Sequence, residues 1–523
     1  LGLLQPPFSS VDSACRYRSG QISMAEFIGN LGLGLATALT LQNLAFVFIG
    51  TLLGTLIGVL PGIGVTSTIA MLLPLTFYLP PEAAIIMLAG IYYGAMYGGS
   101  TTAILVNVPG ESASVVTTID GYQMARQGHA GAALAVAALG SLFAGTVGTL
   151  CIALFAPPLV LIAQQFGAAE NFALMVLGLT AAIVLANGAL DKAVAMILLG
   201  LIFGLVGTDV NSGALRFTFE IPELSDGFGF VALSMGLFGL TEVISNTAQS
   251  SDRSVHAAKV GRLWLSREDV RQATPAVLRG TALGCVLGVL PGGGALLSAF
   301  AAYSVEKKLA KDPSRFGKGA IEGVAAPESA NNAGSQTSFI PMLTLGIPAN
   351  VVMALMLGAM MMHGIHPGPR VMTERPELFW GLVASMWIGN IILVIINLPL
   401  IGLWVKLLTI PYRFLFPAIL LFCAIGAFAS MNSVFEIVML GIFGLFGYIL
   451  HKFRCEPAPL ILAFILGPMM EENFRRAMLL SRGDFSTFLV RPISLVLLLL
   501  ALALLLVVLL PRVRRTRKLA FEE

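Results

Sequence analysis

The chain has 523 residues, of which 57% are hydrophobic and 11% charged, with 56 glycines and a formal net charge of +3. Its mean hydropathy of +0.87 is far above that of a soluble domain, so the reading is an all-α integral membrane protein. The alternating ten-residue pattern of a membrane β-barrel does not occur, and no nucleic-acid partner is expected.

Residues 1–23, LGLLQPPFSSVDSACRYRSGQIS, contain neither a cleavage pattern nor a spanning run. They read as a non-native or unstructured extension, with Met24 opening a more plausible chain through the amphipathic stretch MAEFIGNLGLGLATAL. Beyond it, apolar runs such as Ala132 to Ala163, Ile388 to Leu403 and Ile493 to Leu510 approach or exceed the ~20 residues that cross a bilayer as a helix. About ten to twelve transmembrane helices are expected, many interrupted by Gly and Pro. The five cysteines lie far apart without metal-ligand or redox spacing and are expected to pack.

The chain repeats itself. GTLLGTLIGVLPGIG from Gly50 and GTALGCVLGVLPGGG from Gly280 agree at ten of fifteen positions at a constant offset of 230. More weakly, GGSTTAILVNVPGES from Gly98 matches AGSQTSFIPMLTLGIPAN from Ala333 across a gap. This predicts two internally repeated halves, 24–248 and 280–490, a basic connection over 249–279, a last helix over 491–511 and a basic tail over 512–523. Duplicated halves are characteristic of secondary transporters.

The connection carries Arg253, Lys259, Arg262, Arg267, Arg271 and Arg279, and a second basic loop follows with Lys307, Lys308, Lys311, Arg315 and Lys318. By the positive-inside tendency both loops and the tail are cytoplasmic. Residues 280–304 would then enter and leave on one side, as a re-entrant hairpin hinged at Pro291 to Gly294; the alternative is one ordinary helix with the rule broken on one loop.

Each half is expected to contain two helix breaks: at Pro61 to Gly64 and across Gly98 to Glu111 in the first, at Pro291 to Gly294 and across Ala326 to Asn350 in the second. Unwound backbone at membrane depth is tolerated only around a protein-lined cavity, so such breaks mark a site. They also expose helix N-termini, which attract carboxylates, and carbonyls, which suit a small cation. Candidate substrate-binding residues are Gly62, Gly64, Thr66 and Ser67; Ser100, Thr101, Asn107, Pro109 and Gly110; Gly292, Gly293 and Gly294; and Ser329, Asn331, Asn332, Ser335, Thr337 and Pro348. Any single Ser or Thr could instead bond back to its own helix.

Acids at bilayer depth are costly, which singles out Glu111, Asp120 and Glu328, joined by Asn332, as candidates to carry a coupling ion. Glu328 could equally hold a hydrogen bond of structural value, and Glu111 and Asp120 could cap helices. His363 and His366 have no third ligand at a recognisable spacing, so no metal beyond sodium is expected. The motifs of zinc hydrolases, serine hydrolases and P-loop nucleotidases do not occur, which argues against an enzyme and for energy from an ion gradient or another subunit.

GVLPGIG at 58–64, NVPGESASVVTTIDGYQMARQG at 107–128 and APESANNAGSQTS at 326–338 closely resemble the large membrane subunit of the bacterial tripartite tricarboxylate transporters. The resemblance covers nearly the whole chain from Met24. It implies a multi-pass subunit of the bacterial inner membrane that works with a small four-helix membrane subunit and a periplasmic solute-binding protein. Its task would be sodium- or proton-driven import of an organic carboxylate such as citrate. A passive channel or a scaffold subunit is the alternative.

Overall fold

The computed structural model describes residues 24–60, 64–185, 189–209, 211–248, 260, 261, 263–290, 294–407 and 412–509. The 1–23 extension, the 512–523 tail, Gly62, Gly292, Gly293, and residues 249–259 and 262 of the connection lie outside them. The fold is almost wholly helical, as a chain that must satisfy its backbone inside lipid requires.

The first half comprises α1 (Met24–Ala38), α2 (Leu41–Val59), α3 (Val65–Thr76), α4 (Pro81–Val106), α5 (Val115–Arg126), α6 (Ala130–Ala163), α7 (Ala168–Leu185) and α8 (Leu190–Gly204). A short antiparallel ribbon, β1 (Gly207–Thr208) and β2 (Leu215–Arg216), leads to α9 (Phe230–Ser234), a π-helical segment over Met235–Leu240 and α10 (Thr241–Ala248). Then come α11 (Arg267–Gly288), α12 (Gly294–Leu309), α13 (Glu322–Thr337), α14 (Phe339–Leu345), α15 (Val351–Met362) and α16 (Arg370–Glu374). The chain ends in α17 (Pro376–Asn397), α18 (Ile401–Leu407), α19 (Tyr412–Met431), α20 (Val434–Lys452), α21 (Ala458–Leu480), α22 (Thr487–Val490) and α23 (Pro492–Leu509).

Among the described residues five helices are long and apolar enough to cross a membrane unaided: α2, α4, α6, α17 and α20. Others are shorter apolar helices, α3 and α15 among them, and several of these sit at the breaks. The apolar run from Ile388 to Leu403 is shared between α17 and α18, which part at Leu398.

The repeat has a direct geometric meaning. A Cβ added at Gly50, Gly54 or Gly58 of α2 would stand 2.4 Å from the carbonyl oxygen of Met87, Ile91 or Ala95 of α4. At Gly280, Gly284 and Gly288 of α11 the distances are 2.3, 2.4 and 2.5 Å to the carbonyls of Ala326, Ala330 and Gly334 of α13. Glycine every fourth residue thus lets one helix lie backbone to backbone along a parallel neighbour, the usual solution where lipid offers no hydrophobic drive.

The two arrangements run in opposite directions. Tyr92 and Ser100 of α4 meet Asn350 and Glu328 respectively, so α4 descends as the α13–α15 segment ascends. The halves are therefore inverted with respect to each other. α11 and α12 form an antiparallel helical hairpin, tied at its open end by the two hydrogen bonds from the Arg279 guanidinium to Glu306, at 2.6 and 2.8 Å.

α6 starts beside the basic loop, where Gln127 donates to the Lys318 carbonyl, packs along the 16-residue α13 and continues beyond it to a full length of 34 residues, about 51 Å. Its far end delivers α7, whose Phe172 packs on Phe474 of α21. There Arg216 of the ribbon and Arg475 share the Glu471 carboxylate. The ribbon and the basic loop thus occupy opposite ends of the molecule.

Two expectations about breaks are corrected. Ala326 to Thr337 is not unwound: all of it lies in α13, which is buried along its length. Likewise Gly98 to Val106 is helical and completes α4. Pro327 removes only one amide rung, and Glu328, Asn331, Asn332, Ser335 and Thr337 bond to neighbouring segments or back to their own helix, whereas Ser329 and Gln336 have no side-chain partner among the described residues.

Candidate functional site

The real interruptions are short and alike. Asn107, at φ 57, ends α4, and Gly346, at φ 72, ends α14; each is followed two residues later by proline, and four residues later by a helix cap. Glu111 accepts the Ala113 amide at 2.7 Å, while Asn350 Oδ1 accepts the Met353 amide at 3.0 Å. NVPGE and GIPAN are thus the same device in the two halves. Gly110 is tightly constrained, because a Cβ there would come within 1.8 Å of the Gly58 carbonyl oxygen.

These two breaks meet the first turns of α3 and α12 around one cavity of ≈ 360 Å³. Gly64 and Thr66 line it from α3, Glu111 and Ser112 from the first break, Gly294 from α12 and Asn350 from the second break. Tyr92, Ala182 and the start of α21 from Ala458 close the wall. Asn350 Nδ2 donates to the Tyr92 hydroxyl at 3.1 Å, joining the halves across it. No arginine, lysine or histidine is among the described lining residues, so helix N-termini are the features of the described lining that could favour an anion.

Of the sequence candidates, Gly64, Thr66, Gly294 and Glu111 face this cavity. Asn331 stands behind it, donating to Glu111 at 3.1 Å. Asn107, Pro109, Gly110 and Pro348 shape the breaks and are not among the lining residues. Ser100 and Thr101 line a separate small chamber.

The rest of α13 forms a buried polar seam rather than a binding wall. Glu328 accepts from Ser100 at 2.5 Å and from Thr117, uniting α4, α5 and α13. Asn332 Nδ2 donates to Ser141 at 2.6 Å and to the Glu328 carbonyl at 3.1 Å. Ser335 and Thr337 bond back to the carbonyls of Asn332 and Ala333, and Ser329 lies against Gly140 of α6. Asp120 lies away from the cavity: it accepts the amides of Gly317, Gly319 and Ala320 and the Tyr303 hydroxyl, all at 2.8 to 2.9 Å. Four donors make it an anchor for the loop that enters α13.

Two features escaped the sequence reading. Glu242 of α10 accepts the Gly64 amide at 2.7 Å and the Ser67 hydroxyl, and so caps α3 from the end of the π-helical segment. A lone acid after the apolar run VALSMGLFGL was the signal. Cys151 and Cys285, 134 residues apart, have their Sγ atoms 3.8 Å from each other, a proximity that spacing alone could not reveal.

A sequence profile described as the tripartite tricarboxylate transporter TctA family matches residues 44–462. The chain belongs to that family. Membership makes it a component of a tripartite system with other subunits. A protein of Agrobacterium vitis, named as an uncharacterized 52.8 kDa protein in the TAR-I ttuC' 3' region, is 58% identical over 500 residues, covering 96% of this chain and all of that one. A second from the same organism, an uncharacterized protein in the TAR-II ttuC' 3' region, is 59% identical over 240 residues, 46% of this chain and 99% of that protein. No solved structure matches. The span matched to the TctA family runs from α2 to the start of α21 and contains every residue that lines the cavity.

Proposed function

We propose that the chain is the transport subunit of an ion-gradient-driven carboxylate importer, and that the ≈ 360 Å³ cavity between the inverted breaks is where the substrate binds. The observation that carries this reading is the convergence of the Gly64, Glu111, Gly294 and Asn350 helix starts on one cavity. Helix starts direct a partial positive charge toward an anion, and the volume lies in the range of small-molecule sites.

A tricarboxylate or related organic acid is the substrate class. With the Glu111 carboxylate in the wall and no basic side chain among the described lining residues, an incoming anion needs a co-bound cation, sodium or a proton. In an inner membrane the basic end would face the cytoplasm and the ribbon end the periplasm. There a periplasmic binding protein would deliver substrate on the ribbon side, and a small four-helix subunit would complete the complex. Transport, not catalysis, is the activity.

The test is uptake of labelled organic acids into proteoliposomes holding all the subunits, with the binding protein supplied outside. Saturable accumulation that collapses when both the sodium and the proton gradient are dissipated is expected. Undiminished uptake without either gradient would point to a passive channel instead.

A further inference from the structure

A second, smaller cavity lies between α4, α6 and α17. It measures ≈ 20 Å³, and its polar lining is Tyr97, Ser100, Thr101, Ser141 and Asn397. A chamber above about 10–15 Å³ with two to four polar partners holds one small guest.

Two of its side chains ask for one. The Tyr97 hydroxyl and Asn397 Oδ1 belong to residues only 4% and 5% exposed, and neither atom has a hydrogen-bond partner among the described residues. The Asn397 amide cannot simply turn over, because Nδ2 already donates to the Leu393 carbonyl at 2.9 Å and to Thr55 at 3.3 Å. Buried polar atoms left unpaired call for a water or an ion, and of the sixteen such side-chain atoms among the described residues these two belong to residues that line one cavity.

The chemistry of the lining is uniform. Ser141 Oγ accepts from Asn332, and the Ser100 hydroxyl lies within bonding distance of Glu328 and of the Met96 carbonyl, so both keep lone pairs available. Every polar side-chain atom not consumed elsewhere is an oxygen. An all-oxygen shell suits a small hard cation. The charge such an ion needs nearby is the Glu328 carboxylate, one hydroxyl away through Ser100 at 2.5 Å.

We propose that this chamber is a sodium site, with Tyr97, Ser141 and Asn397 as ligands and Glu328 as the counter-charge behind Ser100. Its role as the coupling ion's seat rests on the transporter reading; its existence as a binding site does not. Sodium bound here would hold α4, α6 and α17 together beside the polar seam of α13.

The experiment is thermal unfolding of the purified full-length chain in detergent, titrated with sodium chloride against choline chloride at constant ionic strength. The wild type should show a saturable rise in melting temperature with sodium alone. Tyr97→Phe and Asn397→Leu should each weaken the apparent sodium affinity about tenfold or more, the loss expected for one ligand worth about 1.4 kcal/mol. Ser141→Ala serves where either variant fails to fold. Equal melting in both salts, or variants that keep the full sodium shift, would mean that the chamber holds water only and would overturn the proposal. A sodium shift that the variants abolish, in a system whose uptake ignores the sodium gradient, would keep the site and refute sodium as the coupling ion. Sodium-driven uptake with unchanged half-saturation in these variants would do the reverse.

Discussion

At the scale of single residues, the acids separate by what surrounds them. Asp120 has its carboxylate engaged by three amides and one phenol, so its task is to fix residues 317–320 at the start of α13. Asp120→Asn should therefore destabilise the protein by about 1.5–3 kcal/mol, the worth of a charge-assisted bond, without altering the ion that drives uptake. Glu328 has only two hydroxyl donors and adjoins the small chamber through Ser100. Glu328→Gln should fold, since the amide oxygen still accepts one hydroxyl, but should lose gradient-driven uptake. A normal sodium and proton response in that variant, measured in proteoliposomes, would remove Glu328 from the coupling role. The sequence showed that these acids were exceptional in an apolar chain. It could not show which one was saturated, because the donors to Asp120 are backbone amides nearly 200 residues away.

At the scale of elements, the glycine triplets explain why the repeat is conserved between the halves within this one chain. Each triplet brings two parallel helices so close that a methyl group has no room. Gly54→Ala and Gly284→Ala should each cost about 1–3 kcal/mol through overpacking, whereas Gly441→Ala, with nothing within 4 Å of its Cβ, should cost nothing. Comparing the melting temperatures of the three variants checks this; equal values would show that the close contacts are not limiting. The breaks were legible where Pro and Gly fall together, as at Pro109–Gly110. They were misplaced in APESANNAGSQTS, because a buried helix that bonds sideways to Ser100, Thr117 and Ser141 has the same polar composition as an unwound segment.

At the scale of the whole molecule, inversion is what brings four helix starts to one cavity. The directions of α4 and of α13 to α15 follow from the contacts Tyr92 to Asn350 and Ser100 to Glu328, and no count of apolar runs could have supplied them. Opposed halves place the NVPGE and GIPAN caps face to face across a shared cavity, so that one anion can meet helix starts from both. Glu242, reaching Gly64 from α10, belongs to the same assembly although it lies outside the repeated motifs.

The claim that this cavity carries the substrate is tested most directly at Thr66, which lines it from α3. In a chain whose native cysteines are replaced by serine, Thr66→Cys should react with a polar maleimide, the modification should abolish uptake, and a transported acid supplied with its coupling ion should protect the thiol. Full uptake after complete modification, or labelling at the same rate with and without substrate, would contradict the assignment of the cavity as the transport site.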